Sequence, residues 1–377
     1  MKKFISGILA AMMLMFCFTG CSKSADDTVM TVNGSEVSFD EYMYWLGAAA
    51  AELQSYYSNY GGAIKWDDDC MFDKGMTNAE WCIKRAGETV AEIHTIDNKA
   101  KEMNITVTDE QKDQIKEQIQ QVKDTYCTSD DPDTEIVEVM KSYNFTLDSY
   151  TQIMNMNMLY MNIYSELYGE NGEKLDDSKV LQYAEDNDYV TSAHILFLNT
   201  KTVTDADGEE SQEDLSDAEL AEKKAQAEDI VKELQAITDD TKRYDRFMEL
   251  MNELSEDPGK ASFPKGYCFT SGSMVEEYDT ASRELEPYAV KLVESDYGFH
   301  IIMGLPTSPD DLVMAGQSTA TLRALAAPEF YQDEVEGWTK GVEAKLTSAF
   351  KNFDFTQFFT DEGFTFVSYA DYQADKK

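Results

Sequence analysis

Basic side chains are scarce in this sequence. It has 32 lysines and arginines against 72 aspartates and glutamates, which gives a formal net charge of -40. Because such a chain repels phosphate backbones, nucleic-acid binding is excluded. Hydrophobic residues make up 42% of the chain and aromatic residues 12%, which is too many for a disordered acidic protein. A folded protein of about two or three domains is therefore expected.

Histidine, proline and long apolar runs are also rare. Only 3 histidines are present, so each is a separate candidate for chemistry near neutral pH. The 7 prolines and 20 glycines exclude a collagen-like or low-complexity chain. After residue 20 no apolar run is long enough to predict a membrane-spanning helix. The cysteines at 70, 82, 127 and 268 fit no zinc pattern, and a bridge between Cys70 and Cys82 and free thiols are both left open.

The first twenty residues have the pattern of a secretory signal, with two lysines before an apolar run too short to span a bilayer. The sequence Phe-Thr-Gly-Cys at 18–21 resembles the bacterial lipobox, in which the cysteine is lipidated and becomes the mature N-terminus. The resemblance implies a signal peptide at 1–20, lipidation of Cys21, a tether at 21–27 and a lipid anchor on the extracytoplasmic face of the cell membrane. An ordinary signal peptide, with Cys21 as an unmodified thiol, is the alternative.

Residues 28–187 have the pattern of a helical region. An Asn-Gly turn predicts a short hairpin at 29–37. Apolar periodicity and capping residues predict helices at 78–103, 108–125, 134–142 and 147–168. The methionines and tyrosines of the last helix favour a helix core, and an adaptable surface for unfolded segments is the alternative.

A compact mixed unit is predicted at 188–305, between strand-like segments at 188–196 and 298–303. The acidic stretch 205–214 is interpreted as a solvated loop, with a calcium site as the less favoured alternative, because the spacing does not complete an EF-hand.

The C-terminal segment, residues 306–377, is predicted to contain a helix at about 328–351 and an alternating strand at 364–369. This segment is too small to bury its own apolar face, so it is expected to pack on the N-terminal region. The predicted fold class is α+β: a mainly helical discontinuous domain, with an inserted domain made of a small antiparallel sheet and helices.

Two of the three histidines, His194 and His300, lie in the strand-like segments of the mixed unit. The sequences Ser-Ala-His-Ile-Leu at 192–196 and Asp-Tyr-Gly-Phe-His-Ile-Ile at 296–302 resemble the first and last strands of parvulin-type peptidyl-prolyl isomerases. Between them, Phe-x-x-Gly-x-Met-Val-x-Glu-Tyr at 269–278 is similar to a further stretch of that family.

The resemblance to parvulins implies cis/trans isomerisation of Xaa-Pro bonds, with no cofactor and no metal. The residues that it implies for the catalytic network are His194, Asp257, His300 and Ser295. Those that it implies for the shelf that holds the prolyl ring are Phe269, Met274 and Tyr278.

The order of the segments, from lipobox to hairpin, inserted parvulin unit and returning tail, resembles the PrsA/SurA-like foldase lipoproteins. This wider resemblance implies that the partners are unfolded or newly exported polypeptides, and that the membrane is contacted through Cys21. It leaves a homodimer open.

The chain departs from the parvulin pattern at 263–267. It has Phe-Pro-Lys-Gly-Tyr where the family usually has Gly-Gly-x-Leu-Gly, so Gly266 stands in place of an apolar side chain. A non-catalytic holdase chaperone that retains a degenerate parvulin scaffold is therefore the alternative function. An open pocket above Asp257 and Met274 would favour catalysis over a pocket filled by Tyr267 or Tyr278.

Overall fold

The computed structural model of the protein describes residues 27–59, 62–205, 208–315 and 318–374. The predicted signal peptide and the predicted lipidation site, Cys21, lie outside these residues. The described chain forms two compact units, one made of residues up to 166 and from 332 onward, the other of residues 167–331. In the described part of the chain, no helix is both long and apolar enough to cross a bilayer.

The first unit begins with a hairpin and continues with helices. Its elements up to the division are β1 Thr28–Val32, β2 Ser35–Ser38, α1 Phe39–Asn59, α2 Asn78–Glu102, α3 Asp109–Tyr126, α4 Pro132–Ser142 and α5 Leu147–Tyr168, which ends in the second unit. Asn33 and Gly34 both have positive φ, as the turn between β1 and β2 requires. Capping boxes at Thr77 and Thr108 start α2 and α3. The predicted hairpin and the four predicted helices are therefore confirmed.

The elements of the second unit are mixed. They are α6 Asp177–Asp186, β3 Val190–Leu198, β4 Thr200–Thr204, β5 Glu210–Asp214, α7 Asp217–Ala236, α8 Asp240–Leu254, β6 Tyr267–Phe269, α9 Glu276–Glu284, β7 Val290–Ser295, β8 Gly298–Leu305, β9 Leu312–Ala315, β10 Ser318–Thr321 and the first part of α10 Leu322–Thr339. The chain then returns to the first unit with β11 Lys345–Leu346, β12 Phe359–Thr360, β13 Gly363–Phe364 and α11 Tyr369–Ala374.

Aromatic packing holds the C-terminal segment from residue 332 onward in the helical unit, whereas residues 306–331 belong to the second unit. Strand β11 pairs with β1, and Phe39 at the start of α1 is fully buried. Six rings of the C-terminal segment have centroids within 6.4 Å of the Phe39 ring, namely Phe350, Phe353, Phe355, Phe358, Tyr369 and Tyr372. Burial of such large rings is a strong driving force for folding, so the tail completes the core of this unit.

Two details of the predicted tail are wrong. The helix expected at about 328–351 begins at Leu322 and ends at Thr339, with Pro328 inside it. Burial of apolar residues before the proline, including Leu322 and Ala326, offsets the backbone hydrogen bond that Pro328 removes. The strand expected at 364–369 is reduced to β13, because Tyr369 begins a short helix that packs against the Phe39 cluster.

The second unit is built on a six-stranded sheet in the order β10-β9-β6-β3-β8-β7, with β3 and β8 antiparallel at its centre. Odd-numbered residues of these two strands, such as Ile195 and Ile301, form a core with α7 and α8. Even-numbered residues face the opposite side, where Ile302 packs in a second apolar cluster with residues of α9. The fold-class prediction, a helical discontinuous domain with an inserted mixed domain, is thereby confirmed.

The acidic stretch contains more structure than expected. Residues predicted as a loop at 205–214 include β5, which pairs with β4 in a hairpin whose β5 residues are all exposed. Within the described ranges, no group of three histidine, cysteine, aspartate or glutamate side chains is placed to hold a metal ion. The cysteines at 70, 82, 127 and 268 are free thiols.

Candidate active site

The two histidines of the mixed unit lie on the same face of the central strand pair. His194 of β3 is opposite Ile302, and His300 of β8 is opposite Leu196, so the histidines occupy diagonal positions on the even-numbered face. Both are buried, with exposed fractions of 9% and 4%. Their rings are stacked with centroids 5.2 Å apart. The pairing register and the two-residue period of a strand are sufficient to bring them together.

A continuous chain of hydrogen bonds joins the four residues predicted for the catalytic network. The Ser295 hydroxyl is 2.7 Å from His300 Nε2, and the Nδ1 atoms of the two histidines are 3.0 Å apart. His194 Nε2 is 3.1 Å from Asp257 Oδ2. The structure therefore brings these four residues together, and their catalytic role stays a prediction.

The chain of hydrogen bonds has a direction when each ring carries one proton. A carboxylate only accepts, so His194 Nε2–H donates to Asp257 and His194 Nδ1 accepts from His300 Nδ1–H. His300 Nε2 is then an acceptor, and the Ser295 hydroxyl donates to it. Each donor has an acceptor in this arrangement, so the network is fully satisfied and holds both rings in place.

Asp257 is fixed by three donors. It caps the short 3₁₀ turn Pro258–Ala261, where its Oδ1 accepts the Gly259 amide at 2.9 Å. Its Oδ2 accepts from His194 and from the Tyr267 hydroxyl, the latter at 2.5 Å. Burial alone would raise the pKa of Asp257, but the hydrogen bonds from His194, Tyr267 and Gly259 outweigh it and lower the pKa to about 2. The side chain is therefore a carboxylate at physiological pH.

His300 is expected to titrate well below the usual range for histidine. Burial and the adjacent His194 lower its pKa from 6.5 to about 4, against a smaller opposing effect of Asp257. Between these two values the unfolded chain binds a proton that the folded chain does not. Stability from this group is therefore fully present above pH 6.5 and is lost as the pH falls to 4, by about 1.4 kcal/mol per pH unit and about 3 kcal/mol in all.

Ring ¹⁵N chemical shifts of the labelled protein, followed from pH 7.5 to 4, measure this pKa directly. The His300 ring should stay neutral down to about pH 5. In parallel, the unfolding free energy of His300→Gln should fall less steeply with decreasing pH than that of the wild type. A His300 titration near pH 6.5, with parallel stability curves, would contradict the expected burial effect.

The residues predicted for the prolyl shelf share one apolar cluster. Phe269 and Tyr278 are 3% and 2% exposed and pack with Ala281 and Ile302, and Met274 lies partly buried against them. The Tyr278 ring has its edge against His194, with centroids 4.9 Å apart. The cluster therefore directly adjoins the histidine pair, while contact of these residues with a substrate stays a prediction.

The hydroxyl that Tyr278 adds to the cluster has a partner. It lies 2.8 Å from the Ser192 hydroxyl, which is in turn 2.9 Å from the Ser282 hydroxyl. Burial raises the pKa of Tyr278 well above its usual range. The tyrosine therefore remains neutral, and its buried polar atom is satisfied within the cluster.

A cavity of about 310 Å³ opens beside Met274. Its lining includes Gly272, Asp279 and Arg283. Asp279 accepts the Gly272 amide and the Arg283 guanidinium, both at 2.6 Å, whereas the buried Arg283 Nη2 has no hydrogen-bond partner among the described residues. The lining is mostly polar or charged and includes none of the four residues predicted for the catalytic network, so this cavity is not the pocket above Asp257 that would favour catalysis.

Two residues that the parvulin resemblance does not include among the site residues lie at the site in the structure. Tyr267 donates to Asp257, and Ser192 binds Tyr278. Side chains two residues apart on a strand point to the same face. Ser192 lies two residues before His194, and Tyr267 two residues before Phe269, so the sequence could have placed both on the face of the site. The identity of their partners depends on strand pairing and was not accessible from spacing.

Comparisons with known proteins give a match to one family model and distant likenesses to solved structures. Residues 176–304 match the model of the PPIC-type PPIASE domain. No curated protein matches the chain. The crystal structure of PrsA from Bacillus subtilis is 18% identical, with 76% of this chain and 92% of that chain covered and a TM-score of 0.24. A structure of SurA-like chaperones from Campylobacter jejuni is 16% identical, with 82% and 92% covered and a TM-score of 0.23. These scores are too low to establish a common arrangement of the whole chain.

Proposed function

We propose that this protein, whose residues 176–304 belong to the PPIC-type peptidyl-prolyl isomerase domain family, is a membrane-anchored extracytoplasmic foldase. It binds unfolded exported polypeptides and catalyses cis/trans isomerisation of their Xaa-Pro bonds. The observation that carries the proposal is the hydrogen-bonded chain from Ser295 through both histidines to Asp257, in a domain of this family. The anchor is proposed from the lipobox-like sequence at Cys21.

The proposed reaction needs neither a nucleophile nor a cofactor. Rotation about an Xaa-Pro bond has a barrier of about 18–20 kcal/mol, because the planar amide is stabilised by resonance. An apolar environment around the prolyl ring removes water from the amide, and fixed charges next to it favour the twisted form over the planar one. Met274 would supply apolar contact, and the carboxylate of Asp257 would supply a fixed charge whose position does not change during the reaction.

The helical unit is proposed to hold the client. Helix α5 contains several methionines, of which Met154 and Met158 pack on a small core around Ile115, whereas Met161 is 52% exposed. Methionine side chains adapt to varied apolar partners. The large negative charge keeps the protein soluble and favours clients with a net positive charge.

A non-catalytic holdase is the second candidate, and one observation favours it. Tyr267 lies next to Asp257, at a position where the parvulin pattern usually has glycine. Its hydroxyl donates a hydrogen bond to the carboxylate. If the phenol ring blocked the prolyl position, the domain would bind clients without isomerising them.

A protease-coupled assay on the mature full-length chain, with a proline tetrapeptide, distinguishes the two candidates. The foldase proposal predicts isomerisation well above the buffer rate, together with suppression of aggregation of an unfolded client. If the protein suppresses aggregation but isomerises the peptide no faster than buffer, the non-catalytic holdase is the correct function. Cell fractionation of Cys21→Ser tests the anchor, because the variant should leave the membrane fraction.

A further inference from the structure

Only part of the apolar cluster at the site is accessible to a bound peptide. Phe269 and Tyr278 are almost completely buried, whereas Met274 and Tyr267 retain partly exposed side chains that pack on the same cluster. A prolyl ring approaching Asp257 would therefore contact Met274 and Tyr267 before the other two. Tyr267 is the larger of these two side chains.

The backbone before Tyr267 explains why the tyrosine takes this position. Gly266 has φ +106°, and a Cβ atom there would lie 2.5 Å from the Ser192 carbonyl oxygen. No side chain fits at 266, so the apolar group that parvulins usually carry at this position is absent. Tyr267 is the register partner of Ser192, and its ring packs on Phe263 with centroids 4.7 Å apart.

The hydroxyl of Tyr267 also has close contacts, with Asp257 and Gly259. It is 2.5 Å from Asp257 Oδ2, the same oxygen that accepts from His194. A Cβ atom at Gly259 would lie 2.1 Å from this hydroxyl, so only glycine leaves room for it. The ring edge also meets the His194 ring, with centroids 5.7 Å apart and planes at 89°. The hydroxyl is therefore held in place by its surroundings, while the tyrosine side chain as a whole stays partly exposed.

We propose that Tyr267 determines substrate binding at this site: its ring is the wall on which the prolyl ring packs, and its hydroxyl positions the Asp257 carboxylate. The ring replaces the apolar side chain that cannot be present at Gly266. Proline packs readily on aromatic faces, as in grooves that recognise proline-rich peptides. This inference rests on the proposed isomerase function and adds a residue to which the sequence resemblance gives no role.

Two variants of the mature full-length chain separate the ring from the hydroxyl. Tyr267→Phe keeps the ring, so the KM for a proline tetrapeptide should change less than about twofold, while kcat falls about tenfold because Asp257 loses a charge-assisted hydrogen bond. Tyr267→Gly removes both groups, and KM should rise about tenfold, with kcat/KM about 100-fold lower. Tyr244→Phe, on α8 in the same unit, is the matched control and should leave both constants unchanged.

A second readout does not depend on turnover. The titratable groups that act on Asp257 are His194, His300, Tyr267 and Tyr278. Loss of the phenol donor should raise the Asp257 pKa from about 2 by about one unit, measured by ¹³C NMR of its carboxyl carbon in Tyr267→Phe. Titration of ¹⁵N-labelled wild type and Tyr267→Gly with the proline peptide measures binding alone.

Three results would overturn the proposal. Higher kcat/KM in Tyr267→Gly would mean that the phenol blocks the site. Equal constants and an equal Asp257 pKa in Tyr267→Phe would leave the hydroxyl without a positioning role. Equal peptide affinity of wild type and Tyr267→Gly would show that the prolyl ring does not pack on the Tyr267 ring. If wild type is no faster than buffer, the isomerase function fails, whereas the binding and pKa measurements still decide the role of Tyr267.

Discussion

Replacing Asp257 with alanine is expected to lower kcat/KM for a proline tetrapeptide about 100-fold, the typical cost of removing a preorganised electrostatic group from an active site. The change takes the acceptor from His194, Tyr267 and the Gly259 amide at once. Since all three donors surround one carboxylate, the substitution loses the fixed charge and also leaves the histidine pair without its anchor. The protease-coupled assay on the mature chain measures the effect.

Two further variants make the Asp257 result specific. Asp257→Asn keeps an acceptor oxygen without the charge and should fall between alanine and wild type, about tenfold below the latter, since bonds to charged groups are about twice as strong as neutral ones. Asp245→Ala removes an exposed carboxylate from α8 and should leave kcat/KM unchanged. If the activity of Asp257→Ala is within twofold of wild type, Asp257 has no catalytic role.

Gly298→Ala is expected to cause a large loss of stability, about 4 kcal/mol or more. Gly298 begins β8 with φ +136°, and a Cβ atom there would lie 2.0 Å from the Phe197 carbonyl oxygen and 2.9 Å from the Asn199 amide nitrogen. Both contacts are backbone atoms in or next to β3, so neither can move without disturbing the central pair of the sheet. Urea unfolding followed by circular dichroism measures the change.

Gly272→Ala is the matched control for this prediction. Gly272 also has positive φ, at +78°, but a Cβ atom there would meet nothing within 4 Å. Its cost should be limited to the strain of a left-handed alanine, about 1–2 kcal/mol. Equal losses for the two variants would show that the backbone conformation, and not the contact with β3, accounts for the effect at Gly298.

Short-range rules were sufficient for much of this molecule. Thr108 starts its helix with the capping box that the sequence indicates. The alternation of β3 and β8 places His194 and His300 on one face, so their proximity follows once the two strands are paired. These features depend on contacts a few residues apart or on a strict two-residue period.

Features that depend on distant contacts were missed. Helix α10 continues through Pro328 because Leu322 and Ala326 are buried, and local propensity at a proline predicts a helix start there instead. The Tyr267 hydrogen bond to Asp257 depends on the close approach of Gly266 to β3. The sequence pattern of one segment does not predict its distance from another segment in the fold.

The two faces of the β3–β8 pair offer a way to separate folding from chemistry by selection. Odd-numbered positions such as Ile195 and Ile301 contribute to the core under α7 and α8, and even-numbered positions carry the histidines. Ile302 and Ser192 on the even face also contribute to packing, so the separation is sharpest at the histidines. A library randomised at odd positions would be enriched by proteolysis resistance, whereas one randomised at 194 and 300 would be enriched by isomerisation. Substitutions at 194 and 300 should therefore be tolerated better under selection for proteolysis resistance than under selection for isomerisation.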